Sequence, residues 1–188
     1  MGYFEWCEFD KGEYIECQGR YIKFNGTSDT QISMVRTTQS IPKNSFYFET
    51  TIINLGSNLI AIGLTTHIPK SKSIQRPGKI PNTIGLSIRK NSSNLFYDGK
   101  SYDYIDLKHG FGQISENGVV GCRVDSFVDQ NKLYRLCTFT INGKQVGSPH
   151  YLDDKKDLFP SITISSQTEA LLYTNFGQEQ FIYDQPGK

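Results

Sequence analysis

The amino-acid sequence predicts an all-β protein built as a two-sheet antiparallel β-sandwich. Short runs rich in aromatic and β-branched residues recur along the 188-residue chain, as is typical of strands. Turn dipeptides such as Asn-Gly and Asp-Gly separate these runs at close spacing. No stretch keeps a 3.6-residue apolar period beyond one turn, so we expect any helix to be a single turn. Many short strands with frequent turns favour a sandwich over other all-β folds.

The N-terminal part contains the shortest predicted strands. Tyr14–Cys17 and Arg20–Phe24 are two strands joined at Gln18-Gly19, and Met34–Arg36 is a third. The residues before Tyr14 are interpreted as an acidic turn.

Two stronger strand patterns follow. Ser45–Ile53 is a long run of β-formers that ends at the turn Asn54-Leu-Gly56. Asn58–Thr65 then has little polarity on either face. A strand that is apolar on both faces belongs in the middle of a sheet.

The segment Thr66–Thr83 interrupts the series of predicted strands. This segment holds three prolines and four basic residues, which exclude a central strand. A loop of this length inside a domain is uncommon and is often functional. It is equally compatible with a solvated insertion, because loops also tolerate added residues. The sequence leaves both interpretations open.

The strands resume at Ile84–Ile88 and Asn94–Tyr97, after which Asp98-Gly99 turns the chain. A polar connection, Asp103–Gly118, leads into Val119–Asp125. There Val120, Cys122 and Val124 share one face of the strand, since side chains alternate with a period of two.

The densest pattern lies in the C-terminal third. Leu133–Ile141 is a strand rich in aromatic and β-branched residues, and Asn142-Gly143 predicts a type I′ hairpin turn because both residues tolerate positive φ. The chain returns from Lys144 and crosses a charged loop. Two further strands are predicted, Leu158–Ile164 and Ala170–Asn175.

Composition and charge exclude several functional classes. The chain has 20 basic and 19 acidic residues, so we expect neither nucleic acid nor an anionic membrane as a partner. No apolar run approaches the ~20 residues that span a bilayer, and the N-terminus lacks the pattern of a secretory signal. We therefore expect a cytoplasmic or nuclear protein that is a monomer as an isolated domain.

The cysteines do not predict a metal site. Cys7, Cys17, Cys122 and Cys137 form no Cys-x-x-Cys pair, and no histidine lies beside any of them. Buried thiols are expected instead, above all at the two cysteines inside predicted strands. No cofactor is expected.

One carboxylate pattern suggests catalysis. Glu8, Asp10 and Glu13 have a spacing similar to that of laminarinase-like glucanases, which need two carboxyl groups about 5–5.5 Å apart for retaining hydrolysis. Lys11-Gly12 places a cation and a strand breaker inside the pattern, close to a terminus. The acidic-turn interpretation is favoured, and a glycoside hydrolase using Glu8 and Glu13 is the alternative.

Several phrases together resemble a known family. Phe139–Gly143, Leu158–Pro160 and Asn175–Gly177 with Phe181 are similar to the C-terminal half of a SPRY domain, and Gly118–Asp125 is also SPRY-like. The resemblance is closest to SPRY domains of the Ran-binding-protein-M type and of ryanodine receptors. It implies a concanavalin-like jelly roll, with residues 1–188 as one domain. Residues 1–41 would be variable N-terminal strands and residues 42–184 the SPRY core.

The resemblance also implies a function. SPRY domains similar to this chain are non-catalytic modules that bind a short peptide or loop of a partner protein through rim loops, some of them as part of a ubiquitin-ligase subunit or scaffold. A purely structural module without a ligand is a further alternative. The matching positions lie before the long early strand, after the apolar strand and between the two final strands. They are Arg36, Thr37 and Thr38, then Thr66, His67, Ile68 and Arg76, then Ser165, Ser166 and Gln167.

Overall fold

The fold is seen in a computed structural model that describes residues 4–28, 30–56, 59–66, 76–89, 92–106, 114 and 116–183, with the side chains of 103–106 excepted. In these ranges the regular structure is entirely β, which confirms the predicted fold class. The strands form two antiparallel sheets of seven strands each. In chain order they are β1 (Trp6–Lys11), β2 (Ile15–Gln18), β3 (Tyr21–Phe24), β4 (Ile32–Thr37), β5 (Phe46–Asn54), β6 (Leu59–Thr65), β7 (Ile84–Arg89), β8 (Ser92–Tyr97), β9 (Lys100–Asp106), β10 (Gly118–Asp129), β11 (Lys132–Ile141), β12 (Lys144–Leu152), β13 (Phe159–Ser165) and β14 (Ala170–Asn175).

The strand order mixes distant parts of the chain. The first sheet runs β1-β4-β13-β6-β7-β8-β9, and the second runs β12-β11-β10-β5-β14-β3-β2. β6, the strand predicted to be apolar on both faces, is the middle strand of the first sheet, and all seven of its residues are buried. The burial on both faces explains the missing alternation in its sequence.

The core lies between the two sheets and follows the two-residue period. Ile60, Ile62 and Leu64 of β6 enter it from one side, and the alternate residues of β10 enter it from the other. Cys122 and Cys137 are fully buried, as expected. Their sulfur atoms lie 3.8 Å apart. Cys7 and Cys17 differ from the expectation, because both are half-buried free thiols.

Two strands were not foreseen. The acidic turn predicted before Tyr14 is in fact β1, in which Trp6 pairs with Thr37 and Lys11 pairs with Val35. Four residues therefore bulge opposite Arg36, and this bulge hides any alternating pattern. β9 overlaps the start of the predicted polar connection Asp103–Gly118. It is an edge strand, where polar residues are tolerated, and it forms a hairpin with β8.

The register places several loops at one end of the sandwich. Thr65, the last residue of β6, pairs with Phe159, the first residue of β13. Ile41 donates its backbone N–H to the carbonyl of Leu158 at 2.7 Å, so the connection from β4 to β5 lies beside the start of β13. We call this end the loop end and define it by residues 38–45, Thr66, the tip of the β10–β11 hairpin and residues 153–158. No helix in the described ranges is long and apolar enough to cross a membrane.

Candidate functional site

Arg36, Thr37 and Thr38 lie at the loop end, where β4 finishes. The Nε of Arg36 donates to Oδ2 of Asp10 at 2.5 Å, and its guanidinium carbon lies 4.1 Å from the ring centroid of Phe159. Thr37 is buried and Thr38 is exposed. Arg36 is thus held by β1 and β13, and part of its donor capacity is already used.

The second predicted group is only partly described. Thr66 is half-buried at the loop end, directly after β6. His67 and Ile68 lie outside the described residues. Arg76 is half-buried and precedes Pro77, which packs on Gly85 of β7.

The third group lies elsewhere. Ser165 pairs with Leu59 and with Ile32, at the far end of the first sheet from Thr65. The seven residues of β13 separate the two ends by about 20 Å. Ser165 and Ser166 are buried, and Gln167 is exposed. The register therefore does not gather the three predicted groups at one rim.

The most prominent surface feature at the loop end was missed by the sequence interpretation. Phe127, Tyr134 and Tyr151 form a row across β10, β11 and β12, with ring centroids 5.6 Å and 6.2 Å apart. Phe127 is 43% exposed and Tyr151 is 60% exposed. Lys132 Nζ lies 5.1 Å from the Tyr134 ring centroid. We call Phe127, Tyr134 and Tyr151 together the aromatic row. The signal in the sequence was the outward alternation Arg123, Asp125, Phe127, which continues past the predicted end of the strand.

A shallow groove adjoins the aromatic row on the outer face of the second sheet. Its volume is about 60 Å³, which suits a small side chain or a pair of waters. Arg123 Nε donates to both carboxylate oxygens of Asp125, at 2.7 Å and 2.9 Å, and so fixes one wall. The groove is lined by Ser45, Phe46, Tyr47, Arg123, Val124 and Asp125.

A larger cavity lies away from the loop end. It measures about 580 Å³ and lies at the β2 edge of the second sheet, lined by Cys17, Tyr21, Lys23 and Leu171 among others. Burial raises the pKa of the Cys17 thiol to about 11, against the opposing charge of Lys11. A thiol of this pKa is protonated at neutral pH, so it supplies no nucleophile there.

The comparisons with known structures match the two-sheet topology. A crystal structure of a human SPRY domain superposes with a TM-score of 0.65 at 23% identity, over 89% of this chain and 98% of that one. The fold is that of a SPRY domain. The TRIM65 PSpry domain gives a TM-score of 0.63 at 12% identity, over 93% and 90% of the two chains. No family model and no curated protein matches the sequence.

The SPRY fold also shares its sandwich with lectins. The exoplasmic/lumenal domain of VIP36, solved with Ca²⁺ and Man3GlcNAc bound, gives a TM-score of 0.55 at 7% identity, over 96% of this chain and 86% of that one. A legume lectin-like domain from Entamoeba histolytica gives 0.53 at 11%, over 91% and 89%. In the part of this chain that the structure describes, no three His, Cys, Asp or Glu side chains converge where they could hold a metal ion.

The carboxylates of the glucanase alternative are not assembled into a cleft. Glu8 and Glu13 are both exposed, the first on the bulged β1 and the second in the turn that follows it. Asp10 between them is paired with Arg36. Neither glutamate lines the groove or the large cavity. Retaining hydrolysis needs two carboxyl groups fixed on either side of a sugar, whereas Glu8 and Glu13 are both exposed to solvent.

Proposed function

We propose that this chain is a non-catalytic protein-interaction module that binds a peptide segment or loop of a partner protein at the loop end. The observation that carries the proposal is the exposed aromatic row beside the groove of Tyr47 and Arg123. Large, rigid aromatic side chains supply much of the binding energy in small interfaces. The SPRY fold supports the proposal, since it displays loops from both sheets at this end.

The mechanism uses a preformed surface. Phe127 and Tyr151 would anchor apolar side chains of the partner, and the groove would take a small polar one. Little ordering is needed on the side of this chain, which favours affinity.

The residues predicted from the resemblance take different places in this proposal. At the loop end, Arg36 would offer only the donors that Asp10 leaves free. Arg76 lies against the outer face of the first sheet, so it would contact only a partner that passes over the loop end from the aromatic row on the second sheet. Ser165, Ser166 and Gln167 would contact the same partner only if it runs about 20 Å along the first sheet. The other contacts proposed from the resemblance are Arg36, Thr38 and Thr66 at the loop end, together with His67 and Ile68, which lie outside the described residues. Thr37 is buried and would act only by holding the loop through its hydroxyl, which donates to the Gln39 carbonyl. A role within a larger cytoplasmic or nuclear protein, such as a ubiquitin-ligase subunit, is part of the same proposal.

The aromatic row provides the first test. A partner recovered by pull-down is titrated against the unmodified domain and against Phe127→Ala and Tyr151→Ala. Each change should weaken binding about tenfold or more, because truncating an interface anchor costs over about 1 kcal/mol and often 2. Tyr21→Ala is the matched control, since Tyr21 is 47% exposed on the same sheet but lines the distant cavity. Unchanged affinity in both row variants, with all proteins folded, would place the site elsewhere.

The arginines provide a second test. The double variant Arg36→Ala, Arg76→Ala should lose roughly 1.5–3 kcal/mol of binding free energy, or about tenfold or more, through charge-assisted hydrogen bonds. Comparison with the single variants separates the contributions of Arg36 and Arg76 to the binding free energy. Arg76 should contribute more, because Arg36 already donates to Asp10. Equal affinity of the double variant and the parent would contradict this assignment.

The glucanase alternative has its own assay. We expect no hydrolysis of a β-glucan by the unmodified domain, because Glu8 and Glu13 are exposed and unenclosed. Turnover above a heat-inactivated control that disappears in Glu8→Gln and Glu13→Gln would establish the enzyme instead.

A further inference from the structure

The segment Arg76–Thr83 is fixed on the outer face of the first sheet. A Cβ placed on Gly85 would lie 2.5 Å from the carbonyl oxygen of Pro77, so the two backbones are in direct contact. Lys79 Nζ lies 3.9 Å from the ring centroid of Phe96. Gly78 donates its N–H to Thr83 Oγ1 at 2.7 Å and accepts one from Gly99 at 2.8 Å. These contacts give Arg76 a rigid base.

Arg76 itself has no compensating partner in the described part of the chain. It is half-buried, and none of the hydrogen bonds or ion pairs formed by described residues involves it. Burial is the main cause that lowers the pKa of its guanidinium, and the positive charge of Arg89 lowers it further. An arginine nevertheless stays charged at any physiological pH. A partly desolvated cation whose charged neighbour is another cation is unfavourable unless an anion joins them.

The hydroxyl of Ser87 lies on the same face of β7 as Arg89. Ile84, Leu86 and Ile88 of β7 point into the core, so Gly85, Ser87 and Arg89 point outward.

The Ser87 side chain is 3% exposed, and its Oγ has no hydrogen-bond partner. Buried hydroxyl groups are almost always hydrogen-bonded, so this one needs an explanation. A hydroxyl donor on the face of β7 that carries Arg89, one outward position from the Pro77–Gly85 contact beside Arg76, suits an oxyanion.

We propose that Arg76, Arg89 and Ser87 form a binding site for an oxyanion, either a carboxylate or a phosphate. The two guanidinium groups supply charge and paired N–H donors, and the Ser87 hydroxyl donates one further hydrogen bond. As the source we favour an acidic or phosphorylated side chain of the partner, and on this point the inference rests on the proposed function. Ser87 pairs with Ala61, and Arg89 follows towards the end of the first sheet that holds Ser165, so the partner would reach this site only by extending from the loop end along the first sheet. The site would also bind free phosphate, which allows it to be tested alone.

The test is an NMR titration of the whole 188-residue chain with sodium phosphate, at an ionic strength held constant with sodium chloride. The Nε–Hε signals of Arg76 and Arg89 should shift saturably. Arg20 is an internal control, because it is already paired with Glu179 at 2.6 Å. Arg76→Gln and Arg89→Gln should each weaken phosphate binding at least tenfold, and Ser87→Ala should weaken it less. Lys100→Gln, at an exposed cation on the far side of β8, should leave it unchanged. Shifts that do not saturate, or that persist in both arginine variants, would overturn the site.

A second arm distinguishes the two sources of the anion. The partner recovered for the loop end is titrated in phosphate and in chloride at equal ionic strength. Competition by phosphate that is absent in Arg76→Gln supports a partner-borne anion. If phosphate binds saturably but does not compete with the partner, the anion is a free one and does not come from a side chain of the partner. The proposed function is then judged separately by the aromatic row variants.

Discussion

At the scale of single residues, Glu49 shows how a buried charge is put to use. It lies on β5 and is 2% exposed. Its carboxylate accepts hydrogen bonds from Tyr47 Oη at 2.9 Å, from the Ile182 N–H at 2.8 Å and from the Tyr183 N–H at 3.0 Å. The backbone N–H groups of Ile182 and Tyr183 thus both donate to the Glu49 carboxylate. This explains how residues 181–183 are held on the sheet without forming a strand.

Glu49→Gln should therefore loosen the C-terminal segment. The glutamine side chain places an NH₂ group where a carboxylate oxygen of Glu49 now accepts a hydrogen bond. One of the three hydrogen bonds is therefore lost, and a buried N–H is left unpaired. We expect a loss of about 1–3 kcal/mol in the free energy of unfolding, measured by urea denaturation. The amides of Ile182 and Tyr183 should also lose hydrogen-exchange protection. Glu16→Gln is the control, because Glu16 is exposed and should change stability by less than about 0.5 kcal/mol. Equal effects of the two changes would contradict the anchoring role.

Cys17 gives a residue-scale prediction that depends on pH. Burial raises the pKa of its thiol from 9.0 to about 11. At pH 8 its thiolate fraction, and with it the alkylation rate, should be roughly 100-fold below that of an unshifted thiol, since each pKa unit is tenfold. The folded state holds this proton more tightly than the unfolded state, so its contribution to stability is complete below about pH 9 and is lost as the pH rises towards 11.

Iodoacetamide labelling followed by mass spectrometry measures the Cys17 rate between pH 7 and pH 11. The same experiment in urea gives the unfolded reference. Equal rates in the folded and unfolded chain at pH 8 would contradict the raised pKa.

At the scale of elements, the β11–β12 hairpin depends on one glycine for two separate reasons. Asn142 and Gly143 have φ values of 48° and 78°, which is the type I′ turn that the sequence predicts. A Cβ on Gly143 would also lie 2.4 Å from Cδ1 of the Tyr183 ring. Backbone strain and a steric clash would therefore add in any substitution.

Gly19 offers a matched comparison that separates these two effects. Its φ is 60°, and nothing lies within 4 Å of a Cβ placed there. Gly19→Ala should cost about 1 kcal/mol from backbone strain alone. Gly143→Ala should cost this amount plus about 1 kcal/mol or more for displacing Tyr183. Urea denaturation of both variants tests the difference, and equal costs would show that Tyr183 moves freely away.

At the scale of the whole molecule, both sheets join strands that are far apart in sequence. β4 pairs with β13, and β5 pairs with β14. Chains dominated by such pairings fold slowly, because loop closure must precede the contacts that stabilise it. Trp6, the single tryptophan, is 2% exposed and lies 5.4 Å from Phe176 in an edge-to-face contact. Its fluorescence reports the meeting of the two chain ends.

Refolding from urea, followed through Trp6 by stopped flow, should therefore take about milliseconds to seconds. The Trp6 signal should recover together with the far-UV circular dichroism, because β1 belongs to the first sheet and Phe176 follows β14 of the second, so their contact needs both sheets. A signal completed within the instrument dead time would contradict the topology argument. Phe176→Leu is the control for the origin of the signal, because it removes the aromatic contact.

The sequence by itself determined the features that depend on neighbouring residues. Asn142-Gly143 specifies its turn because positive φ is a property of those two residues. Leu59–Thr65 reveals a central strand because burial on both faces removes the alternation. The SPRY resemblance added the fold, and the structural comparisons confirm it.

Tertiary structure alone decided which residues share an end of the sandwich. Arg36–Thr38 and Thr66 lie at the same end of the first sheet, whereas Ser165–Gln167 lie at the other end, because the β13 register fixes where each strand finishes. The aromatic row depends on pairing across three strands, and β1 depends on its pairing with β4. Register and strand order are set by burial of whole faces between distant segments, and no local pattern of residue types encodes them.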